Sequence, residues 1–269
     1  MTRFACPTIQ KILFLSSICL FTSVQALRAQ ADSADDPKLT EIYDASLEPK
    51  VVTPGAKCGG APSDAIILFD GKNQDEWVSA RDGKTPSDWV ISQGLLTVNK
   101  HAGSIETKRV FTNYQLHIEW RVPKTITGEG QARGNSGVFM ASTGPGDQGY
   151  ELQVLDCYNN KTYVNGQTAA VYKQSIPLAN ACLPPGEWQT YDIIWTAPVF
   201  HADGSVASPA RVTAFHNGVL VQNNFSLQGV TRYRGKPYYQ AHGPSPIKLQ
   251  SHGDKSEPIS FRNIWVRPL

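Results

Sequence analysis

The stretch Gln115-Leu-His-Ile-Glu-Trp-Arg121 alternates polar and apolar residues without a break. Successive side chains of a β-strand point to opposite faces, so Leu116, Ile118 and Trp120 share one face and the polar residues share the other. Strict alternation of this kind is typical of a half-buried strand. The stretch therefore predicts a sheet with one face in an apolar core and one face free for other work.

Similar short segments recur along the chain, separated by turn signals. Asn217-Gly218 is the strongest signal, because Asn-Gly supplies both positive-φ residues of a type I′ hairpin turn. About a dozen strands without a long helical period predict an all-β domain over residues 64–269, a β-sandwich or jelly roll. The predicted strands are Ala65–Phe69, Trp89–Ser92, Leu95–Val98, Tyr114–Val122, Gly137–Met140, Tyr150–Leu155, Gln189–Trp195, Arg211–His216, Val219–Asn223, Ile247–His252 and Ile259–Val266.

The N-terminus carries the features of a secretory signal peptide over residues 1–31. Basic residues precede an uncharged run from Ile12 to Val24, and Ala29-Gln30-Ala31 fits a small-x-small cleavage site. The run is shorter than the ~20 residues that a membrane-spanning helix needs. We expect export to the periplasm or the extracellular space without a membrane span, and a lipoprotein attached through Cys19 is the weaker alternative. Residues 32–63 lack an apolar period and are interpreted as a flexible tether or a loosely docked extension.

The charge balance excludes a polybasic nucleic-acid binder. The chain has 25 Lys and Arg against 23 Asp and Glu in 269 residues. Removal of residues 1–31 takes away Arg3, Lys11 and Arg28 and no acid, which leaves 22 basic and 23 acidic residues and a net charge of −1. A nearly neutral mature chain suits an uncharged ligand and gives no sign of nucleic acid as a partner.

Three cysteines, Cys58, Cys157 and Cys182, remain after the predicted cleavage. We predict a disulfide between Cys157 and Cys182, because closing a loop of about two dozen residues contributes roughly 3 kcal/mol in the chain-entropy model. The spacing of cysteines and histidines gives no indication of a structural zinc site.

Three predicted strands place unusual polar residues on their free faces. Solvent faces are usually rich in Lys, Glu, Thr and Ser, whereas these rows contain groups that can orient a polyol or transfer a proton. If the strands are neighbours, the rows form one carbohydrate site. The rows are Gln115, His117, Glu119 and Arg121; Glu151 and Gln153; and Lys248, Gln250 and His252.

Other polar residues lie close to these rows in sequence. Asn135 lies in a glycine-flanked turn and could grip a ligand hydroxyl, although the turn could equally serve only the backbone. Arg262 is expected to be a surface charge, and a buried anchor for a neighbouring carboxylate is the alternative. Asp156 has the wrong parity to pair with Glu151 on a regular strand, which argues against the two opposed carboxylates of a retaining glycosidase.

An ordered set of short motifs resembles the 3-keto-disaccharide hydrolase family. The resemblance runs from about Ile66 to the C-terminus. The motifs are Leu68-Phe69-Asp70-Gly71-Lys72, Glu119-Trp120-Arg121, Gly134-Asn135-Ser136-Gly137-Val138, Tyr150-Glu151-Leu152-Gln153-Val154-Leu155-Asp156, Pro185-Gly186-Glu187-Trp188, His216-Asn217-Gly218, Leu249-Gln250-x-His252-Gly253 and Phe261-Arg262-Asn263-Ile264.

The resemblance implies a concanavalin-like β-jelly-roll sandwich of two antiparallel sheets. It also implies activity on glycosides whose sugar has been oxidised at C3 by a separate oxidoreductase, which would act upstream of this protein. The keto group acidifies the proton on C2, so a base can remove it, the C1–O bond can break by elimination, and water can add back.

This chemistry needs a base, a group that stabilises the enolate oxygen, and an acid for the leaving group. We expect Glu151 or His252 to be the base and Arg121 or a bound divalent cation to polarise the ketone. Glu151, His252 and Glu119 could ligate such a cation. Gln153, Gln250 and Asn135 would hold hydroxyls, and His117, Glu119 and Lys248 would complete the substrate-binding face.

Three other functions fit the same sequence. A non-catalytic, lectin-like carbohydrate-binding module is the main alternative, because jelly rolls serve as lectins and as enzymes. Aromatic residues such as Trp77 or Tyr158 would then flank the groove. A conventional glucanase conflicts with the parity of Glu151 and Asp156, and a structural protein tethered outside the cell is the third alternative.

Overall fold

A computed structural model describes residues 36–49, 51 and 59–269 of the chain. The predicted signal peptide and Cys58 lie outside the described residues. No helix within the described part of the chain is long and apolar enough to cross a membrane.

The described chain is almost entirely β-structure, as predicted. Four short 3-10 helices accompany the strands: η1 (Pro37–Thr40), η2 (Ala45–Leu47), η3 (Gly130–Ala132) and η4 (Val164–Gly166). The strands are β1 (Ile66–Phe69), β2 (Trp77–Ser79), β3 (Val90–Ser92), β4 (Leu95–Thr97), β5 (Ile105–Thr107), β6 (Tyr114–Arg121), β7 (Ser136–Ser142), β8 (Gly149–Val154), β9 (Gln189–Thr196), β10 (Val199–Phe200), β11 (Val206–Ser208), β12 (Arg211–His216), β13 (Val219–Ser226), β14 (Lys248–Leu249) and β15 (Ser260–Pro268).

Two antiparallel sheets form the jelly-roll sandwich. The larger sheet has eight strands in the order β13-β12-β9-β6-β15-β4-β3, with β1 added against β15. The smaller sheet has five strands in the order β2-β5-β14-β7-β8. Strands β6 and β8 therefore belong to opposite sheets, and this separation decides which predicted site residues can meet.

The core lies between the sheets and is filled from both sides by the apolar faces that the alternation predicted. Leu116, Ile118 and Trp120 of β6 are buried, as are Leu152 and Val154 of β8. Burial of this apolar surface is the main stabilising contribution to the sandwich.

Two core tyrosines link the sheets by hydrogen bonds. The Tyr114 hydroxyl of β6 donates to the Met140 carbonyl of β7 at 2.6 Å, and the Tyr191 hydroxyl of β9 donates to the Gln153 carbonyl of β8 at 2.7 Å. A buried hydroxyl must find such a partner. These bonds therefore also fix where the polar face of β8 stands above the core.

The predicted turn and disulfide are both present. Asn217 and Gly218 have φ values of 52° and 80°, as a type I′ turn between β12 and β13 requires. Cys157 is bonded to Cys182 across a Cα separation of 5.9 Å. The disulfide fixes the chain that follows β8 beside the loop leading into β9.

Four strands were missed and one was overestimated. The missed strands, β2, β5, β10 and β11, have two or three residues each, too few to show an alternating pattern. Predicted Ile247–His252 is reduced to Lys248–Leu249, because only these two residues are in register with both β5 and β7, while Gln250 keeps a single backbone hydrogen bond to Gly137 of β7.

Candidate active site

A cavity of about 600 Å³ lies on the face of the smaller sheet that is turned away from the core. Its floor consists of side chains from β8 and from the segments next to β7 and β14. The structure thus brings together five predicted site residues, Asn135, Glu151, Gln153, Gln250 and His252. The other lining residues are Lys38, Glu41, Tyr43, Gln131, Asp147, Tyr163, Tyr172, Thr231 and Tyr233.

Glu151 is a buried carboxyl without a side-chain partner. Its side chain forms no hydrogen bond or ion pair within the described residues, and the residue is 4% exposed. Burial, with a smaller contribution from the negative charge of Asp147, raises the pKa of Glu151 well above its ordinary value, and the charge of Lys248 only partly offsets this. The raised pKa favours the protonated form of the carboxyl, which can donate a proton.

Gly137 on the neighbouring strand makes room for this carboxyl. A Cβ atom at position 137 would stand 2.6 Å from Oε1 of Glu151. Only glycine leaves that space open, so the Gly-Asn-Ser-Gly motif shapes the pocket at Gly137 as well as at Asn135.

The amide of Gln153 is oriented by a short chain of hydrogen bonds that begins at the main chain. A backbone carbonyl can only accept, so the bond of 2.8 Å from Asn135 Nδ2 to the Gln131 carbonyl fixes the Asn135 amide. Asn135 Oδ1 then accepts from Gln153 Nε2 at 3.1 Å. This leaves Gln153 Oε1 buried without a partner, as an acceptor for a ligand.

Gln250 presents a second free acceptor by the same logic. Its Nε2 donates to Asp147 Oδ1 at 2.8 Å, which leaves Oε1 buried and unpaired. Buried polar atoms are almost always hydrogen-bonded in native proteins. Two unpaired amide oxygens in one cavity therefore point to a ligand that carries hydroxyl donors.

His252 forms a pair with Asp254 at the cavity. Nδ1 of His252 is 2.9 Å from Asp254 Oδ2. Burial alone would raise the pKa of Asp254, but hydrogen bonds from His252 and Ser256 lower it to about 2, so Asp254 is ionised. The Asp254 backbone N–H also approaches Nδ1, at 3.2 Å. The shorter contact with a carboxylate, however, requires a proton on Nδ1, which leaves Nε2 free to act as a base.

One wall of the cavity is aromatic, and sequence reasoning missed it. Tyr43, Tyr163, Tyr172 and Tyr233 line this wall, and the hydroxyls of Tyr163 and Tyr172 are 2.6 Å apart. None of these residues lies on a strand, so alternation could not indicate them. Tyr43 even comes from the segment that was interpreted as a tether or loose extension.

The structure does not bring the predicted β6 row to this cavity. His117, Glu119 and Arg121 lie on the outer face of the larger sheet, because β6 pairs with β9 and β15 and not with β7, β8 or β14. Glu119 accepts from Arg262 Nε at 2.7 Å and from Asn263 Nδ2 at 2.9 Å. Arg262 thus pairs with a neighbouring carboxylate, but its side chain is 41% exposed, so it combines the two alternatives and is not a buried anchor.

Arg121 lies in a separate cleft of about 480 Å³ on the larger sheet, beside Lys124, Glu187 and Ser260. Its guanidinium carbon stands 4.6 Å from the ring centroid of Trp188. The cleft carries no buried acid among the described residues. Arg121 therefore cannot polarise a ketone bound next to Glu151.

Lys248 belongs to the correct sheet but does not line the cavity. Its ammonium group is buried and donates to the carbonyls of Gly144, Gly146 and Gln148 at 2.7 to 2.9 Å. These three bonds hold the loop that carries Asp147. Lys248 thus holds this loop in place, whereas its position in the row predicts a role in binding substrate.

The expected cation ligands are not assembled as a group of three. Glu119 lies on the opposite sheet from Glu151 and His252. Among the described residues, no cluster of three or more His, Cys, Asp or Glu side chains has an arrangement that could hold a metal ion.

The fold and the cavity together define a carbohydrate-active jelly-roll protein. The sequence profile of the 3-keto-alpha-glucoside-1,2-lyase-like domain matches residues 64–267. The chain belongs to this family, which confirms the resemblance drawn from its motifs.

Similar proteins agree with this assignment. A 3-keto-disaccharide hydrolase from Bacteroides thetaiotaomicron is 27% identical over 248 residues, covering 76% of this chain and 78% of the relative. A crystal structure of a candidate glycosyl hydrolase from Parabacteroides distasonis is 53% identical, with a TM-score of 0.74, and covers 86% of this chain and 96% of its own. A second structure from that organism shares the fold at 19% identity, with a TM-score of 0.56, over 79% of this chain and all of its own.

Proposed function

We propose that this protein cleaves 3-keto-glycosides, including 3-keto-disaccharides, by elimination followed by hydration. The observation that carries the proposal is that one cavity is lined by Glu151, a carboxyl whose pKa is raised by burial, by His252, an imidazole oriented by Asp254, and by two glutamines with unpaired amide oxygens. The family and the name of the Bacteroides relative support the same chemistry.

In the first half of the reaction, Nε2 of His252 removes the proton from C2 of the oxidised sugar. The C1–O bond breaks, and Glu151 gives its proton to the leaving oxygen. The amide oxygens of Gln153 and Gln250 accept from sugar hydroxyls and hold the ring in place. The hydroxyls of Tyr172 and Tyr233 are the donors that can stabilise the enolate oxygen.

In the second half, water adds to C1 of the unsaturated sugar. The ionised Glu151 takes a proton from this water, and His252 returns its proton to C2. The sum of the two halves is hydrolysis, with both side chains restored to their starting states. Of the two candidates for the base, the ionisation states of Glu151 and Asp254 favour His252.

Incubation of the purified protein with a 3-keto-glucoside and with its unoxidised counterpart tests this function. We expect release of the aglycone from the oxidised substrate alone, and incorporation of deuterium from heavy water at C2 of the product. Parallel reactions with a chelator test whether a divalent cation takes part. Binding of sugars without any cleavage would favour the lectin-like alternative, and cleavage of the unoxidised glucoside would favour a conventional glycosidase.

We also propose that the protein acts after export, on a ketone supplied by a separate sugar 3-oxidoreductase. The disulfide between Cys157 and Cys182 supports an oxidising compartment, where such bonds persist. Fractionation of the native host with an antibody against the mature chain tests the location. Recovery of the protein with its first 31 residues, in the cytoplasm, would contradict it.

A further inference from the structure

Residues 36–49 precede the part of the chain that matches the family and still form part of the cavity. Lys38, Glu41 and Tyr43 belong to its lining. The two turns of this segment, η1 and η2, contain no buried residue. These turns therefore add little to the core, and polar contacts account for their position.

The first anchor is Asn165 with its neighbour. The backbone N–H of Val164 donates to the Ile42 carbonyl at 3.0 Å, and Asn165 Nδ2 donates to the Thr40 carbonyl at 2.7 Å. Asn165 Oδ1 accepts in return from the Ile42 N–H at 3.3 Å. Three hydrogen bonds thus fix the backbone on both sides of Glu41.

The second anchor is Lys173, whose residue is 8% exposed. Its Nζ donates to the Pro37 carbonyl at 2.7 Å and to the Tyr233 carbonyl at 2.9 Å. The ammonium group also lies 4.7 Å from the ring centroid of Tyr233. One buried lysine therefore joins the N-terminal segment to the loop that completes the aromatic wall.

Tyr43 continues that wall outward. Its ring meets the Tyr163 ring edge to face, with centroids 5.9 Å apart, and remains 72% exposed. The Tyr43 hydroxyl donates to Glu41 Oε2 at 3.0 Å. Covering an exposed ring with the apolar face of a ligand ring is favourable.

The cavity thus has two chemically different parts. The polar floor with Glu151 and His252 suits the oxidised sugar, and its volume falls within the range of clefts that enclose molecules larger than one sugar ring. Building on the proposed function, we infer that residues 36–49 and Tyr163, the outer part of the tyrosine wall, form the subsite for the leaving group, and that this group is a second sugar. Tyr43 stacks on the ring, while Lys38 and Glu41 bind its hydroxyls, which a bare aryl group lacks.

Three substrates test the inference with the full-length mature chain: a 3-keto-disaccharide, phenyl 3-keto-glucoside and methyl 3-keto-glucoside. We expect Tyr43→Ala to lower kcat/KM for the disaccharide about tenfold, the size of one lost stacking contact, and to leave the methyl glycoside within about twofold. Lys38→Ala should lower the disaccharide value alone. Tyr43→Phe keeps the ring, so its kcat/KM for the disaccharide should stay close to that of the parent protein. The same is expected of Tyr158→Ala, which removes an exposed tyrosine outside the cavity.

Equal losses on the disaccharide and the methyl glycoside would overturn the inference, because the segment would then act on the whole site. Loss on the phenyl glycoside with no effect of Lys38→Ala would overturn the assignment to a sugar. If the parent protein cleaves none of the substrates, the proposed function fails. The subsite is then tested on its own by measuring the binding of unoxidised sugars by calorimetry. Tyr43→Ala must then weaken binding of the unoxidised disaccharide and not of methyl glucoside.

Discussion

Glu119 and Glu151 occupy equivalent positions in the sequence pattern, but their chemical surroundings differ. Each stands on the polar face of an alternating strand, opposite a buried core face. Glu119 forms ion pairs with Arg262 and His117 and accepts a hydrogen bond from Asn263, so its charge is compensated inside the protein. Glu151 has no such partner within the described residues and faces a cavity. The difference teaches that a carboxyl becomes a candidate for catalysis when the fold leaves it unpaired.

The electrostatics follow from these surroundings. Burial alone would raise the pKa of Glu119, but its contacts with His117, Asn263 and Arg262 lower it to about 2. For Glu151 burial dominates and raises the pKa. Glu119 is therefore a fixed negative charge that stabilises the fold, whereas the surroundings of Glu151 favour the protonated acid, which can give up a proton.

Exchanging each carboxyl for its amide should separate the two roles, with the largest effect at Glu151. We expect Glu151→Gln to lower kcat for 3-keto-glycoside cleavage by about 10²- to 10⁴-fold, the usual range for a lost general acid, without loss of stability. Glu119→Gln should keep kcat within about twofold and lower the free energy of unfolding by about 1–3 kcal/mol, because a charged hydrogen-bonded group loses its partner. Steady-state kinetics and urea unfolding of both variants measure this, and the reverse pattern would refute the comparison.

Removing the proposed base should give the next largest loss. We expect His252→Ala to lower kcat by about 10²-fold or more, with deuterium exchange at C2 abolished as well. Asp254→Asn keeps the imidazole but loses the carboxylate that fixes its tautomer, so its loss should be smaller and its pH profile shifted. Exchange at C2 that continues in His252→Ala would assign the base to another residue.

A methyl group at position 137 should displace the Glu151 carboxyl while residue 151 itself is left unchanged. We expect Gly137→Ala to lower kcat/KM by about 10-fold or more, because the new Cβ would stand 2.6 Å from Oε1 of Glu151 and displace the carboxyl. Gly243→Ala is the matched control, since nothing lies within 4 Å of a Cβ there. Unchanged kinetics in both variants would mean that the position of Glu151 is not critical.

The smallest expected effect concerns pH and the cluster around Glu119. Burial alone would lower the pKa of His117, but its ion pairs with Asp192 and Glu119 raise it from 6.5 to about 9. Its contribution to stability is therefore fully present below pH 6.5 and is lost as the pH rises through about 9.

Thermal unfolding between pH 6 and 10 tests this. We expect the parent protein to lose about 1–2 kcal/mol across this range through His117, after allowance for solvent screening around Asp192. His117→Gln should be less stable at pH 6 and show a flatter dependence. A parallel decline in both proteins would place the titrating group elsewhere.

The sequence could predict faces but not neighbours. Alternation assigned the core and free faces of β6 and β8 correctly, because the two-residue period is a local property of a strand. It could not show that β6 belongs to the other sheet, since strand order depends on pairings such as Arg262 with Glu119, 143 residues apart. The predicted site of three polar rows therefore included the β6 row, which lies on the other sheet.

Lys248 and the tyrosine wall show two further limits. Lys248 has the parity of a site residue, yet its ammonium group donates to three loop carbonyls. The conformation of a loop leaves no periodic pattern in the sequence, so these contacts could not be predicted. The tyrosines come from segments without regular structure. A stretch such as residues 36–49, which has no apolar pattern, gives no sign of where it will lie until its hydrogen-bond partners are in place.

The anchor at Lys173 has a consequence for the order in which the molecule is built. Its bond to the Pro37 carbonyl joins residues 136 positions apart, and its bond to Tyr233 reaches another 60 positions on. Residues 36–49 leave the ribosome early but can settle only after these later segments have been made and folded. Residues 36–49 are thus synthesised early and reach their final position late. Since its two turns contain no fully buried residue, this segment should also be the first to open, with amide protons that exchange long before those of the sheets.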